Sequence, residues 1–379
     1  MNNSIEGQIN VRLTPGLNGR CAVVISSSRP QLAQKLMVGC SPEQAAERAG
    51  LIFSLCGKAQ RIAAEAACEA AQDVQPDAAL IAQRERRVLQ ELVQEHAWQW
   101  LLNWPQKVGR PPAMRSLLAL RAATDSAALH EQNAEQKSVL EQIVHEEILG
   151  EAPELWLTRD LAAFDAWSQR GATLPAAIFK SWVAEGDASD AKGSQAALLP
   201  PLHQMSAAQC IGLAQRALDD ESFCAQPTWV GAPAETGAMA RCQHHPMLAA
   251  WLVRRSRGTG ARLLARLIEL AEMPRRLQTL QTRQNGGETV VKAMPLAENV
   301  GMAAIETSRG LLIHVVRLAQ GRVADYRIVA PTEWNFHPAG PLAQALANLT
   351  VDDDVLARAQ ILCQSLDPCV AFDVEVSHA

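Results

Sequence analysis

Two cysteines of the chain stand in settings that can do chemistry. Cys56 lies in Ile52-Phe53-Ser54-Leu55-Cys56-Gly57-Lys58-Ala59-Gln60, and Cys369 lies in Asp367-Pro368-Cys369-Val370-Ala371-Phe372. A thiolate is a nucleophile and a soft metal ligand, whereas a protonated cysteine is a small apolar core residue. Composition alone favours the core role, since the chain has nine cysteines. That count is odd and no two are spaced as C-x-x-C, so neither a disulfide framework nor a zinc ribbon is indicated. His145, Glu146 and Glu147 are metal-binding or acid-base residue types. Consecutive helical residues point in different directions, which makes them a surface cluster. Arg84, Arg86, Arg87 and Arg254, Arg255, Arg257 read as solvated helix faces, with sites for an anionic partner as the alternative. His244 and His245 precede Pro246 in an expected turn. The chain has no phosphate-cradling glycine loop of standard spacing, no H-E-x-x-H and no G-x-S-x-G.

The elements that must position these residues follow from the hydrophobic pattern. Ile9, Val11 and Leu13 alternate with Asn10 and Arg12, and a Pro15-Gly16 turn precedes the apolar run 21–25, so the chain opens with strands. Ser41-Pro42 is a helix start, and an alanine-rich helix covers 59–71. A long amphipathic helix spans 81–104 and stops at Pro105. Further helices are expected within 113–149, 153–169, 175–183 and 247–280. The stretch 187–202 reads as a surface loop, and 284–287 ends the helical region. Strands at 311–316 and 322–330 meet at a Gln320-Gly321 turn, and Asp352, Asp353 and Asp354 sit where a last helix begins. The expected fold is α+β, mainly helical, in a single domain over 1–379. Its parts are N-terminal strands at 1–30, a helical body at 31–283, a β-hairpin region at 284–340, and a helix and C-terminal tail at 341–379. With 48% apolar residues, 20% charged residues and a net charge of -5, a sizeable core is assured and the drive for nonspecific nucleic-acid binding is absent. The amino end carries no signal-peptide pattern and no apolar run approaches about 18 residues. A cytoplasmic, non-membrane protein is therefore expected.

Taken together, the two cysteine segments resemble the large subunit of the nickel-iron hydrogenases. That family binds its metals through an amino-terminal C-G-x-C-x-x-x-H motif and a carboxyl-terminal D-P-C-x-x-C-x-x-H motif. Cys56 falls on the second cysteine of the first motif, with Phe53 at the first and Gln60 at the histidine. Cys369 falls on the first cysteine of the second motif, with Phe372 at the other cysteine and Glu375 at the histidine. Ile5-Glu6-Gly7-Gln8 is similar to the family's opening I-E-G-H, and Ser308-Arg309-Gly310 to its P-R-G. The segment from Ala324 through Pro331-Thr332-Glu333-Trp334-Asn335 resembles its N-Y-Q-x-V-V-P-T-T-W-N. The likeness runs from Glu6 to Glu375.

The resemblance implies a hydrogenase-large-subunit-like helical body with small flanking β-sheets, and both motifs meeting at one buried site. It implies an iron half-site: Cys56 and Cys369 as metal ligands, with Arg309, Pro331, Thr332 and Glu6 lining it, for an Fe(CN)2(CO) fragment. Nickel in the family takes four thiolates, a soft sulfur set. Phe53 and Phe372 replace two of them, so no nickel, no catalysis and no hydrogen oxidation are expected. This pattern is similar to the HupK/HoxV type of hydrogenase assembly protein. That likeness implies a scaffold that passes iron to a hydrogenase large-subunit precursor, with a HypC-type chaperone and a HypD-type assembly protein as further partners. A metal-free structural pseudo-subunit is the alternative.

Overall fold

A computed structural model describes residues 7–16, 19–28, 32–125, 134–186, 193–282 and 288–377. The expected Glu6 site and the 284–287 break lie outside the described residues. The fold is α+β with helix predominating, and it groups into two compact units. One comprises Met1–Val88, Ser194–Arg241 and Gln284–Ala379; the other comprises Leu89–Gly193 and Cys242–Arg283. Among the described residues no helix is long and apolar enough to cross a membrane.

The first unit holds all the named strands. β1 (Gln8–Pro15) and β2 (Cys21–Ser27) form the expected antiparallel pair. β3 (Ala197–Leu198) and β4 (Ala234–Glu235) are a short parallel pair. Within the expected β-hairpin region, 284–340, the described residues build a four-stranded antiparallel sheet in the order β5 (Val291–Ala297), β6 (Val300–Thr307), β7 (Gly310–Ala319) and β8 (Arg322–Val329). The β7–β8 turn has φ of 51° at Gln320 and 71° at Gly321, both left-handed, as a tight two-residue hairpin requires. The tail expected after the last helix forms β9 (Ala371–Val376), which pairs in parallel with β1. Gln8 therefore faces Ala371, and the two ends of the chain share one sheet in the order β2-β1-β9.

The alanines have a packing role beyond helix propensity. Helix Gly57–Ala71 buries Ala59, Ala63, Ala67 and Ala71 among others and packs against β6 and β7. A Cβ on Gly301 of β6 would lie 2.3 Å from the Ala67 carbonyl oxygen and the Ala71 nitrogen, so only glycine lets helix and sheet approach this closely. The other face of the sheet, with Val300, Met302, Ala304, Leu311, Ile313 and Val315, faces a separate apolar cluster containing Leu199, Leu213 and Trp334. Covered on both sides, β6 is buried at every position. Ser41 caps helix Pro42–Ile52 through a full capping box with Gln44, as the Ser-Pro start predicts.

The second unit is helical around an aromatic core. Phe164 packs edge-on against Phe179 at 4.8 Å and Trp251 at 6.2 Å, and Trp156 lies 5.9 Å from Phe164. His96 and Glu269, both fully buried, meet at 2.7 Å. The long helix differs from expectation at its end: Ala78–Trp98 runs into a π-helical stretch, Gln99–Asn103, and then a short helix, Trp104–Lys107. Pro105 sits in the first turn of that helix, where its missing N–H costs no bond.

Arg84 is no solvated face: it is 5% exposed and pairs with both carboxylate oxygens of Glu69 at 2.7 Å. Its partners come from the preceding helix, which a linear charge cluster does not reveal. His245, in the expected turn, caps helix Pro246–Arg254 by accepting from the Met247 N–H at 3.3 Å. His145 and Glu146 are exposed within a π-helical stretch, Val144–Leu149.

Candidate functional site

Three segments distant in sequence meet in the first unit. The β6–β7 turn carries Ser308 and Arg309. Gly310 closes it with φ +130°, and a Cβ there would lie 2.3 Å from the Thr236 side chain. This crowding, together with Asn335, fixes the turn: Asn335 Nδ2 donates to the Arg309 carbonyl at 3.3 Å, and its Oδ1 accepts from the Thr236 N–H at 3.0 Å. Arg309 is 5% exposed. Its Nε donates to the Asp367 carbonyl at 3.0 Å, and its Nη2 lies 3.5 Å from the Asp367 carboxylate. Asp367 ends helix Val355–Leu366 in the left-handed region, φ 52°, and Pro368 prevents the helix from continuing.

Cys369 follows at once. Its sulfur is 3.0 Å from the Thr332 hydroxyl, and its N–H donates to the same oxygen at 3.4 Å. Thr332 is 3% exposed in the first turn of the short helix Pro331–Asn335, which starts just after β8. The structure thus brings Arg309, Pro331, Thr332 and Cys369 to one place. Asp367, which opens the tail motif, is the residue that ties Arg309 to it.

Cys56 is 9% exposed and immediately precedes helix Gly57–Ala71. Its partner is Gln60, one turn on, whose Nε2 donates to the Cys56 sulfur at 3.6 Å. Gln60 Oε1 is 2.8 Å from His314 Nε2, and His314 Nδ1 is 2.7 Å from the Tyr326 hydroxyl. Burial pushes the His314 pKa down to about 3 and holds the Tyr326 phenol well above its ordinary value. Cys68, by contrast, sits among the apolar residues of the same helix, and desolvation pushes its thiol up to about 12, so it stays protonated. Sequence reasoning singled out neither His314 nor the Tyr326 hydroxyl. A histidine within an otherwise apolar strand, Leu311 to Val316, was the available signal.

The remaining motif positions are built into the fold. Phe372 and Cys369 both pack against the apolar core around Ile9, Val11, Leu362 and Val374. Glu375 lies opposite Arg12 across the β1–β9 pair and makes an exposed ion pair with it at 3.6 Å. Phe53 is half-buried between helix Pro42–Ile52 and the short turn that carries Cys56. Among the described residues no three His, Cys, Asp or Glu side chains group as metal ligands.

A family model described as nickel-dependent hydrogenase matches residues 194–375, which include Arg309, Thr332 and Cys369. The chain is 32% identical to the hydrogenase expression/formation protein HoxV of Cupriavidus necator, covering 94% of this chain and 93% of that one. It is 30% identical to the hydrogenase expression/formation protein HupK of Rhizobium leguminosarum bv. viciae, covering 98% and 97%. Among solved structures it is similar to the nickel-iron-selenium hydrogenase of D. vulgaris Hildenborough, with a TM-score of 0.57 at 14% identity over 93% of this chain and 94% of that one. That likeness concerns the fold: a helical body with small flanking sheets.

Proposed function

Because the chain belongs to the HoxV/HupK family of hydrogenase expression/formation proteins, we propose that it is a non-enzymatic scaffold of hydrogenase maturation whose cargo is an Fe(CN)2(CO) fragment. Cys56 and Cys369 hold the iron, and the protein passes it to a hydrogenase large-subunit precursor. The observation that carries the reading is the convergence of Arg309, Thr332 and Cys369. A thiol, a hydroxyl and a buried guanidinium are the groups this cargo asks for. Sulfur binds the iron, and N–H and O–H groups donate charge-assisted hydrogen bonds to the cyanide nitrogens. The cargo brings three ligands of its own, so two thiolates go far toward completing it. A HypC-type chaperone and a HypD-type assembly protein are the partners proposed for delivery.

Nickel has no place in this reading. Phe53 and Phe372 stand where two further thiolates would be needed, and Phe372 and Glu375 are committed to the core and to the β1–β9 surface. One observation favours the alternative, a metal-free pseudo-subunit that binds hydrogenase subunits: β9 is held by pairing with β1, so the tail has its place without metal. An infrared spectrum of protein purified from a hydrogenase-producing host separates the two, since CO and CN absorb where protein does not. Bands of bound CO and CN support the scaffold; their absence from protein that still supports maturation supports the pseudo-subunit.

A further inference from the structure

Cys56 stands at the end of a buried chain of hydrogen bonds. Tyr326 OH meets His314 Nδ1 at 2.7 Å, His314 Nε2 meets Gln60 Oε1 at 2.8 Å, and Gln60 Nε2 reaches the Cys56 sulfur at 3.6 Å. Tyr326, His314 and Gln60 are exposed by only 1%, 0% and 2%. The fold places them: His314 and Tyr326 are diagonal neighbours on β7 and β8, since Val316 pairs with Tyr326 and His314 with Ile328. Helix Gly57–Ala71, which carries Gln60, packs on β7.

The direction of the chain follows from its chemistry. A neutral imidazole has one N–H and one acceptor nitrogen, and an amide oxygen only accepts. Nε2 therefore carries the hydrogen that Gln60 Oε1 receives, Nδ1 accepts, and the Tyr326 hydroxyl donates to it. Burial keeps His314 neutral and Tyr326 protonated at physiological pH. We propose that Tyr326 and His314 are positioning residues that lock the Gln60 amide with its N–H toward Cys56, so that a hydrogen-bond donor is held on the sulfur that ligates the iron cargo. The proposal rests on the reading of Cys56 as an iron ligand given above. Reversing the chain would turn His314 Nδ1–H toward Tyr326 and Gln60 Oε1, an acceptor with no hydrogen to give, toward the sulfur. Losing a partner that orients a metal ligand in this way typically costs about 10- to 100-fold in metal affinity.

The test has two arms. In the full-length, metal-free chain labelled with 15N-histidine, NMR is expected to show His314 as the Nε2–H tautomer, and Tyr326→Phe is expected to move the Nδ1 resonance. An Nδ1–H tautomer in the wild type overturns the proposal. In protein purified from a hydrogenase-producing host, Tyr326→Phe is expected to shift the CO and CN bands. Gln60→Met is expected to speed iron loss to a chelator roughly 10- to 100-fold. Tyr326→Phe deletes one hydroxyl and keeps the ring, so the arm stays readable if Gln60→Met fails to fold. Unmoved bands and undiminished iron overturn the relay. The Nε2–H tautomer in a wild type whose Cys56 holds no iron overturns the iron reading and with it the ligand role claimed here, whereas the Nδ1–H tautomer with iron bound overturns the relay alone.

Discussion

His314 is the buried group whose titration the structure makes easiest to read. Its folded pKa is pushed down to about 3 by burial, against about 6.5 in the unfolded chain. A depressed value means that the neutral ring's contribution to stability is complete above the unfolded pKa and is lost as pH falls toward the folded one. Between pH 7 and pH 5 the unfolded imidazole goes from about one-quarter to almost fully protonated while the folded one stays neutral, which amounts to about 2 kcal/mol. His314→Gln removes the titration while keeping an amide that can accept from Tyr326 and donate to Gln60. At pH 7 the variant is expected to be the less stable by about 1 kcal/mol, from imperfect packing. At pH 5 the order is expected to reverse, because the difference between the two proteins closes by the full proton-linked amount. Urea unfolding followed by tryptophan fluorescence at pH 7, 6 and 5 measures this directly, with buried Trp334 reporting on the unit concerned. Parallel pH dependences for wild type and variant would refute the reasoning, since they would show that His314 binds a proton equally in both states.

Arg309→Leu removes the cation that lies 3.5 Å from the 5% exposed Asp367 carboxylate and is expected to cost about 3–5 kcal/mol. The double variant with Asp367→Asn should recover much of this in a thermal-unfolding cycle, and strict additivity would count against the pairing. Gly301→Ala puts a methyl 2.3 Å from the backbone of helix Gly57–Ala71, so a loss of about 1–3 kcal/mol or more is expected; an unchanged Tm would mean that the helix does not press on β6. Glu375→Gln, which breaks only an exposed pair with Arg12, should leave Tm unmoved. Equilibrium dialysis of the wild type, and of Glu375→His, should show no stoichiometric nickel, and one-to-one binding would revive a nickel site.

The legible parts of the fold were those whose signals are local. The β1–β2 alternation, the Ser41 cap and the Gln320-Gly321 turn each follow from a few neighbouring residues. The bounds of β6 were not legible because both of its faces are covered, which erases the alternation that marks a half-buried strand. Its neighbour β5 carries Pro295, which argues against a central strand and is tolerated here because β5 is an edge. β9 did carry a signal, Phe372, Val374 and Val376 alternating with Asp373 and Glu375, but the motif reading occupied the same residues. At the site, Arg309, Thr332 and Cys369 were legible through resemblance, since each lies in its own short motif. The Tyr326–His314–Gln60 relay was not, because Gln60 and His314 lie 254 residues apart and meet only once helix Gly57–Ala71 is laid on β7.

The central claim is that one thiolate from each end of the chain holds the iron cargo, and infrared spectra of cysteine variants purified from a hydrogenase-producing host test it most directly. Cys56→Ala and Cys369→Ala are each expected to abolish the CO and CN bands while the protein stays folded, because a cysteine's apolar volume is small beside the loss of a metal ligand. Cys68→Ala and Cys210→Ala, which remove thiols that burial keeps protonated, should leave the bands intact. Full bands in both the Cys56 and the Cys369 variants, with hydrogenase maturation still supported, would contradict the two-thiolate site and leave the metal-free pseudo-subunit as the account to pursue.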